Sequence, residues 1–435
     1  MIHNISITVY LYVDRSNGGV LIMRKNKGKS KNRKIIKHKT ATFNLEPDGF
    51  SIHTFSLSRQ LTQSEYHALK KNLYRDYPGT YKTDSKGEDG TVYIFHNCRY
   101  FNRYGVRIRL MKCCFVDQKD STPYDDEDDS HDTFSKYFLK MTINPRRLIE
   151  PIDEYHYLGI LQPTQESVDR VVEVFRRLFW QTIFENDIDQ YKLSRIDFCT
   201  NIRCDNKNLF RELVRVLRKL PTPPKYEWLF YDDDDRKKAN RYNKHYLRFA
   251  CRTHELVIYD KTYQIEENQL DVSYEKLPNG VIRFEMHCQR EYLRRLEKKL
   301  DCSDTSELLK ALVQNSREEL TKKFSKCFPD VSYHQADVLQ EKIRASHFKK
   351  KNKAAMYKLV ELLKKVQSID KALEKLEAKG YDTSGLLKKF EKLGISPVPL
   401  RKDFCAERLP NLVELLNTVG DKSSIVVPYT VIKYK

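Results

Sequence analysis

Val281-Ile282-Arg283-Phe284-Glu285-Met286-His287 decides how the middle of this chain folds. Ile282, Phe284 and Met286 alternate with Arg283, Glu285 and His287. Successive strand residues point to opposite faces, so one face is apolar and the other carries a cation, an acid and an imidazole. Arg195-Ile196-Asp197-Phe198-Cys199 repeats the arrangement, with Ile196 and Phe198 on one side and Arg195 and Asp197 on the other. In Glu255-Leu256-Val257-Ile258-Tyr259-Asp260-Lys261, Tyr259 shares a face with Glu255, Val257 and Lys261. Segments of this kind predict an antiparallel sheet with one covered and one wet face.

Working outward, Val168, Val171, Val172, Phe175, Leu178, Phe179 and Ile183 follow helical spacing and predict an amphipathic helix over residues 165 to 184. A strand over Leu193 to Ile202 and a helix through Leu209, Leu213 and Leu217 come next, then Pro221-Thr222-Pro223-Pro224 breaks the chain. Strands are expected over Tyr246 to Lys261 and Val281 to Arg290, and a helix through Leu293, Leu296 and Leu300. Upstream, Ile5 to Val13 alternates as a strand, and Arg24 to Lys39 holds nine Lys or Arg and no acid, which predicts a basic loop. Thr40 to Leu45, Pro47-Asp48-Gly49 and Phe50 to Leu57 read as a hairpin. Thr62 and Glu65 have capping-box spacing ahead of a helix. Strands are expected at Val92 to Asn97, Val106 to Phe115 and Tyr137 to Ile143, and the acid-rich Tyr124 to Asp132 reads as a solvated loop. From Asp304 onward only helical spacing is seen, and a helix-turn-helix is conceivable around Ile369 to Phe390. No internal repeat of solenoid period is visible.

The expected architecture is therefore α+β, an antiparallel sheet with helices packed on one face, followed by an all-helical C-terminal domain. Boundaries fall at 1–134, a strand-rich N-terminal region expected to bind DNA, 135–302, and 303–435, helical and serving either DNA binding or dimerisation.

At 435 residues with 40% apolar content the chain carries a full core. It has no apolar run long enough to span a membrane and no secretory-signal pattern, so the expected location is the cytoplasm, with no membrane partner. The 10 cysteines include no CxxC pair and read as reduced and structural. The net charge of +19 favours a polyanion as partner. No GxxxxGK[ST] phosphate loop is present, which argues against nucleotide-driven activity.

If the three strands are neighbours, Asp197, Glu285 and His287 converge. Two carboxylates with one imidazole suit Mg²⁺ or Mn²⁺ better than zinc. The plainer alternative is a wet sheet face on which Arg–Asp and Arg–Glu pairs cross between strands.

Ser194-Arg195-Ile196-Asp197-Phe198, Leu256-Val257-Ile258-Tyr259-Asp260-Lys261 and Val281-Ile282-Arg283-Phe284-Glu285-Met286 together resemble three ordered blocks of the replication initiation factor family. That family includes rolling-circle initiators of small plasmids and relaxases of integrative elements, and filamentous-phage replication proteins have similar blocks. The resemblance covers roughly residues 135 to 300. It implies a fold related to the HUH endonucleases, a tyrosine nucleophile and a divalent metal. Carried onto this chain, the nucleophile is Tyr259, Lys261 is the neighbouring cation that favours phenolate, and Asp197, Glu285 and His287 are the metal ligands. Tyr263 follows four residues later, and the choice between the two tyrosines stays open. No His-apolar-His pair is seen, and Gln264 stands where the family commonly has an acid.

The implied activity is nicking of one strand at a replication origin through a 5′-phosphotyrosine link, on single- and double-stranded origin DNA. A host helicase would then unwind the duplex, and a homodimer is an expected partner arrangement. A relaxase for conjugative transfer is the alternative within the class. A non-catalytic DNA-binding replication regulator is the alternative outside it, and a basic RNA-binding protein is disfavoured by the lack of RNA-recognition motifs.

Overall fold

A computed structural model describes residues 34–87, 90–114, 135–150, 159–231, 235–267, 280–402, 404–422 and 424–434. The expected strand over Ile5 to Val13, residues 24–33 of the basic run and the acid-rich Tyr124 to Asp132 lie outside them. The chain divides into Met1–Lys37 with Val431–Lys435, and His38–Thr430.

Its first part runs β1 (Lys34–Leu61), α1 (Gln63–Asp76), β2 (Tyr81–Lys86), β3 (Val92–Cys98), β4 (Val106–Cys114), β5 (Lys136–Ile143) and α2 (Pro145–Ile149). Helix α3 (Gln165–Phe179) leads into the second part. This comprises β6 (Lys192–Cys204), α4 (Lys207–Leu217), β7 (Glu227–Trp228), α5 (Arg236–Tyr242), β8 (Tyr246–Ala250), β9 (His254–Asp260), α6 (Lys261–Glu267), β10 (Val281–Gln289) and α7 (Arg290–Leu300). Then come α8 (Thr305–Gln314), α9 (Ser316–Cys327), β11 (Tyr333–His334), α10 (Ala336–Ala345), α11 (Lys350–Leu363), α12 (Ile369–Glu377), α13 (Leu386–Lys392), β12 (Arg408–Leu409), α14 (Leu412–Lys422) and β13 (Ser424–Tyr434).

Among the described residues one 11-stranded sheet has the order β2-β3-β4-β5-β1-β6-β10-β9-β8-β7, with β13 also paired to β1. The order is a mirror of itself about β1 and β6. Each half is a strand, a helix, three successive strands and a last strand that returns beside the first. The register repeats as well. Phe55 faces Ile143 across β1 and β5, as Phe198 faces Met286 across β6 and β10. Met141 then faces Ile108 as Phe284 faces Ile258. The sheet is a duplicated unit that the sequence, with no visible repeat, does not announce.

Alternation produces the covered face. Phe55, Leu57, Ile196, Phe198, Phe284 and Met286 are fully buried beneath the helices. Each large apolar side chain so covered stabilises the fold by roughly 1.5–3 kcal/mol before entropy is counted. Thr62 caps α1 by accepting from the Glu65 N–H at 3.2 Å, while Glu65 accepts from the Thr62 N–H at 2.7 Å. That is the capping box the spacing predicts. Helix α3 buries Val168, Val171, Phe175 and Phe179 but stops at Phe179, short of residue 184. The chain turns there because Gln181 takes a left-handed φ of 60°.

Several elements differ from the sequence reading. Lys34 to Lys39 belong to β1 rather than to a loop. Pro47-Asp48-Gly49 does not turn a hairpin. Leu45 and Phe50 both pair with β6, opposite Ile202 and Thr200, so residues 46–49 form a bulge within one strand. Gly49, at φ 65°, supplies the conformation that bulge needs. Tyr246 to Lys261 is two strands, turned at residues 251–253 and closed by the Cys251 N–H on the His254 carbonyl at 3.0 Å. The segment after residue 303 carries β11, β12 and β13 as well as helices, so it is not all-helical. It also shares the core of the sheet. The Phe324 ring meets Phe284 at 5.9 Å, and the Ser316 hydroxyl donates to the Phe50 carbonyl at 2.8 Å.

Candidate active site

The polar face of the second half, largely buried, collects the charged residues of β6, β9 and β10. Asn201, Arg283 and Tyr259 lie in one cross-strand row, Cys199, Glu285 and Val257 in the next, and Asp197, His287 and Glu255 in the third. Adjacent strands lie about 4.8 Å apart, so these side chains must meet.

Tyr259, Arg283, Glu285, His287, Glu255 and Arg248 form one ionic network, and Asp197 pairs beside it with Arg195. The Tyr259 hydroxyl donates to Glu285 at 3.0 Å, and Arg283 Nη1 lies 3.5 Å from both the Tyr259 oxygen and the Glu285 carboxylate. Arg283 is wholly buried and is anchored by its Nε on Asn201 at 2.7 Å. His287 stands between two carboxylates, with Nε2 on Glu285 at 2.9 Å and Nδ1 on Glu255 at 3.3 Å. Arg248 holds Glu255 through two bonds of 2.9 Å. Arg195 holds Asp197 through bonds of 2.7 and 3.0 Å, and the Thr54 hydroxyl also donates to Asp197. Thr54 comes from β1, in the other half of the sheet.

Charge follows from this packing. Burial opposes a charged His287, yet Asp197, Glu255 and Glu285 raise it to about 10, so it is an imidazolium at neutral pH. Burial also opposes a charged Glu285, but the His287 hydrogen bond and the nearby cations hold it well below the usual carboxylate range. Tyr259 is 5% exposed, and burial pushes its phenol well above the usual value, against the pull of Arg283. Burial and Arg283 lower Lys261 to about 7, so it exists in both forms near neutrality.

Of the residues singled out in the sequence, Tyr259, Glu285 and His287 are joined directly, and Asp197 sits opposite His287 in register. Lys261 is the first residue of α6, with Nζ 5.9 Å from the Tyr259 ring centre and bonded to Gln264 at 2.8 Å. Tyr263 lies on α6, its ring stacked on His245 at 3.8 Å, outside the Tyr259–Glu285–His287 chain of hydrogen bonds.

The sequence reading did not single out His53, whose Nδ1 lies 3.6 Å from Glu285 and which burial and Arg283 hold at about 3 and hence neutral. A signal was present. Ile52 and Phe55 are both core residues three positions apart, a break in alternation that marks a bulge at His53 and Thr54.

The implied metal can be tested against this arrangement. Glu285 faces Arg283 and His287, Glu255 faces Arg248 and His287, and Asp197 faces Arg195. Both ring nitrogens of His287 face carboxylates, where a ligand to metal needs a free lone pair. Among the described residues no group of three or more His, Cys, Asp or Glu is disposed to hold a metal ion. Asp197, Glu285 and His287 thus fit a protein-neutralised network, and they do not fit a metal cage without loss of the His287 proton.

No family model matches the chain, and no curated protein matches it.

Proposed function

We propose that this chain nicks one strand of DNA by transesterification onto Tyr259, as a rolling-circle replication initiator or as the relaxase of a transfer system. The observation that carries the reading is the Tyr259 hydroxyl held between Glu285 and Arg283 on the polar face of the sheet. Glu285 takes the phenolic proton as the oxygen attacks phosphorus. The Tyr259–phosphorus bond forms, the bond from phosphorus to the 3′ oxygen breaks, and Lys261, charged in part of the population, returns a proton to that oxygen. Arg283 stabilises the negative charge that develops on the Tyr259 oxygen as its proton leaves. The linkage conserves the energy of the broken bond, so no nucleotide is consumed. A host helicase and a cytoplasmic setting complete the reading. Among the described residues no helix is long and apolar enough to cross a membrane.

Incubation with supercoiled plasmid carrying candidate origins, followed by detection of a protein-linked 5′ end, tests the reading. Tyr259→Phe should abolish the adduct while the fold and non-covalent binding survive. Tyr263→Phe should leave single-strand cleavage largely intact. An adduct that persists in Tyr259→Phe and disappears in Tyr263→Phe transfers the role to the second tyrosine. Loss of nicking in EDTA, restored by Mg²⁺ or Mn²⁺, would bring the ion back into the mechanism.

The burial of Tyr259 and the full pairing of the carboxylates favour a second reading, a non-catalytic DNA-binding regulator in which the network only stabilises the sheet. Absence of any adduct with origin DNA, with binding intact, selects it.

A further inference from the structure

The open face of the first half has a different composition from the site just described. Its cross-strand rows, which begin at Ser56, Ser58, Gln60 and Lys136 and run to β4, β3 and β2, contain no Asp or Glu. They carry Arg107 and Arg109, both exposed, and Lys140 between Arg109 and Ser58. Burial, Arg195 and Arg109 all lower Lys140, and Asp197 only partly opposes them, a sign of cations crowded together. Interleaved with them are half-buried rings. Tyr93 and Phe95 lie two apart on β3 with their planes within 8° of parallel, and Phe138 shares the row of Phe95. The Arg109 guanidinium lies 4.9 Å from the Phe95 ring centre and is steadied by Asn97 at 3.0 Å.

Cations in strand rows that hold no acid take phosphates, and flat rings on an open sheet take unpaired bases, which stack on them whatever their sequence. A duplex hides those base faces and would meet only the cations. An acidic peptide would satisfy the charges but leave the parallel rings unexplained. From the Tyr259 strand to the Phe95 strand there are six strand spacings, roughly 29 Å, a distance a short single strand can cover.

We propose that the open face of the first half binds single-stranded DNA next to the cleavage point, with Arg107, Arg109 and Lys140 on phosphates and Tyr93, Phe95 and Phe138 against bases. That the strand is DNA rests on the nicking reading; the platform itself rests only on the residues of this face.

Fluorescence anisotropy with labelled oligo(dT), in a Tyr259→Phe background that cannot trap DNA covalently, tests it. Phe95→Ala should weaken oligo(dT) binding on the order of ten-fold and change binding of a duplex of equal length by less than about two-fold. Arg109→Gln, at an exposed position where folding is not at risk, should weaken oligo(dT) binding and reduce the slope of log affinity against log salt by about 0.7. Unchanged oligo(dT) affinity in both variants overturns the proposal, as does an equal loss on duplex for Phe95→Ala. Tighter binding of oligo(rU) than of oligo(dT) overturns the assignment to DNA, and displacement by polyglutamate as effective as by oligo(dT) assigns the face to an acidic protein instead. The adduct assay run beside it keeps the two readings apart. Phe95-dependent binding without any adduct from the unaltered Tyr259 protein removes nicking and leaves the platform. An adduct with no Phe95 or Arg109 dependence removes the platform and leaves nicking.

Discussion

In the second half of the sheet Glu285 is buried among Arg283, His287 and Tyr259, whereas the matching position in the first half is Thr142, bonded to Ser56 at 3.0 Å. By the same register Lys140 stands where the second half has Arg283, and exposed Arg109 stands where it has buried Tyr259. The apolar faces agree between the halves, since both must be covered by helices. The open faces diverge because strand pairing does not depend on them. One half has become an enclosed network of opposite charges, the other a cationic surface with rings.

The comparison breaks first at Glu285. Glu285→Ala leaves Arg283 buried with less than its full set of partners and should cost about 3–5 kcal/mol in urea unfolding. Its counterpart Thr142→Ala should cost no more than about 1 kcal/mol. Equal costs would mean the network is not what separates the halves.

His287 gives a smaller effect with a pH signature. Its folded value is raised to about 10 from 6.5, so the stability it contributes is fully present below about pH 6.5 and is lost as pH rises toward 10. The stability gap between the parent and His287→Gln should be on the order of 2 kcal/mol near pH 6 and vanish by about pH 10. A gap independent of pH would show that His287 acts through packing alone.

Thr54→Val removes the hydroxyl that β1 lends to Asp197, which keeps Arg195. A loss of about 1.5 kcal/mol is expected, with little change in structure by circular dichroism. The smallest effect belongs to the first half. Arg107→Gln, at an exposed position, should change stability by less than about 0.5 kcal/mol. A large loss there would reveal a structural role for that face.

Much of the second half was legible because its strands have an unbroken two-residue period, and Ile282, Phe284 and Met286 announce the covered face. The polar rows followed once the strands were taken as neighbours, so Tyr259, Glu285 and His287 met as expected. What period could not supply was pairing between distant segments. Nothing local in Pro47-Asp48-Gly49 distinguishes a hairpin turn from a bulge in a strand whose partner lies about 150 residues away. Charge state was equally hidden. His287 reads as a ligand in isolation and becomes an imidazolium when Asp197 from β6 and Glu255 from β9 join Glu285 around it. The duplication was invisible because the two halves share strand order and core pattern rather than residue identities.

The bond from Thr54 to Asp197 spans 143 residues and joins the first strands of the two halves. Contacts so distant in sequence form late, because the entropy of closing the intervening chain must be overcome before they return any energy. Each half can align its own neighbouring strands earlier. Refolding should therefore show a slow step in which the halves dock, and Thr54→Val should mainly accelerate unfolding rather than retard folding. Completion of the acidic network would then report on the last event of folding, not on an early one.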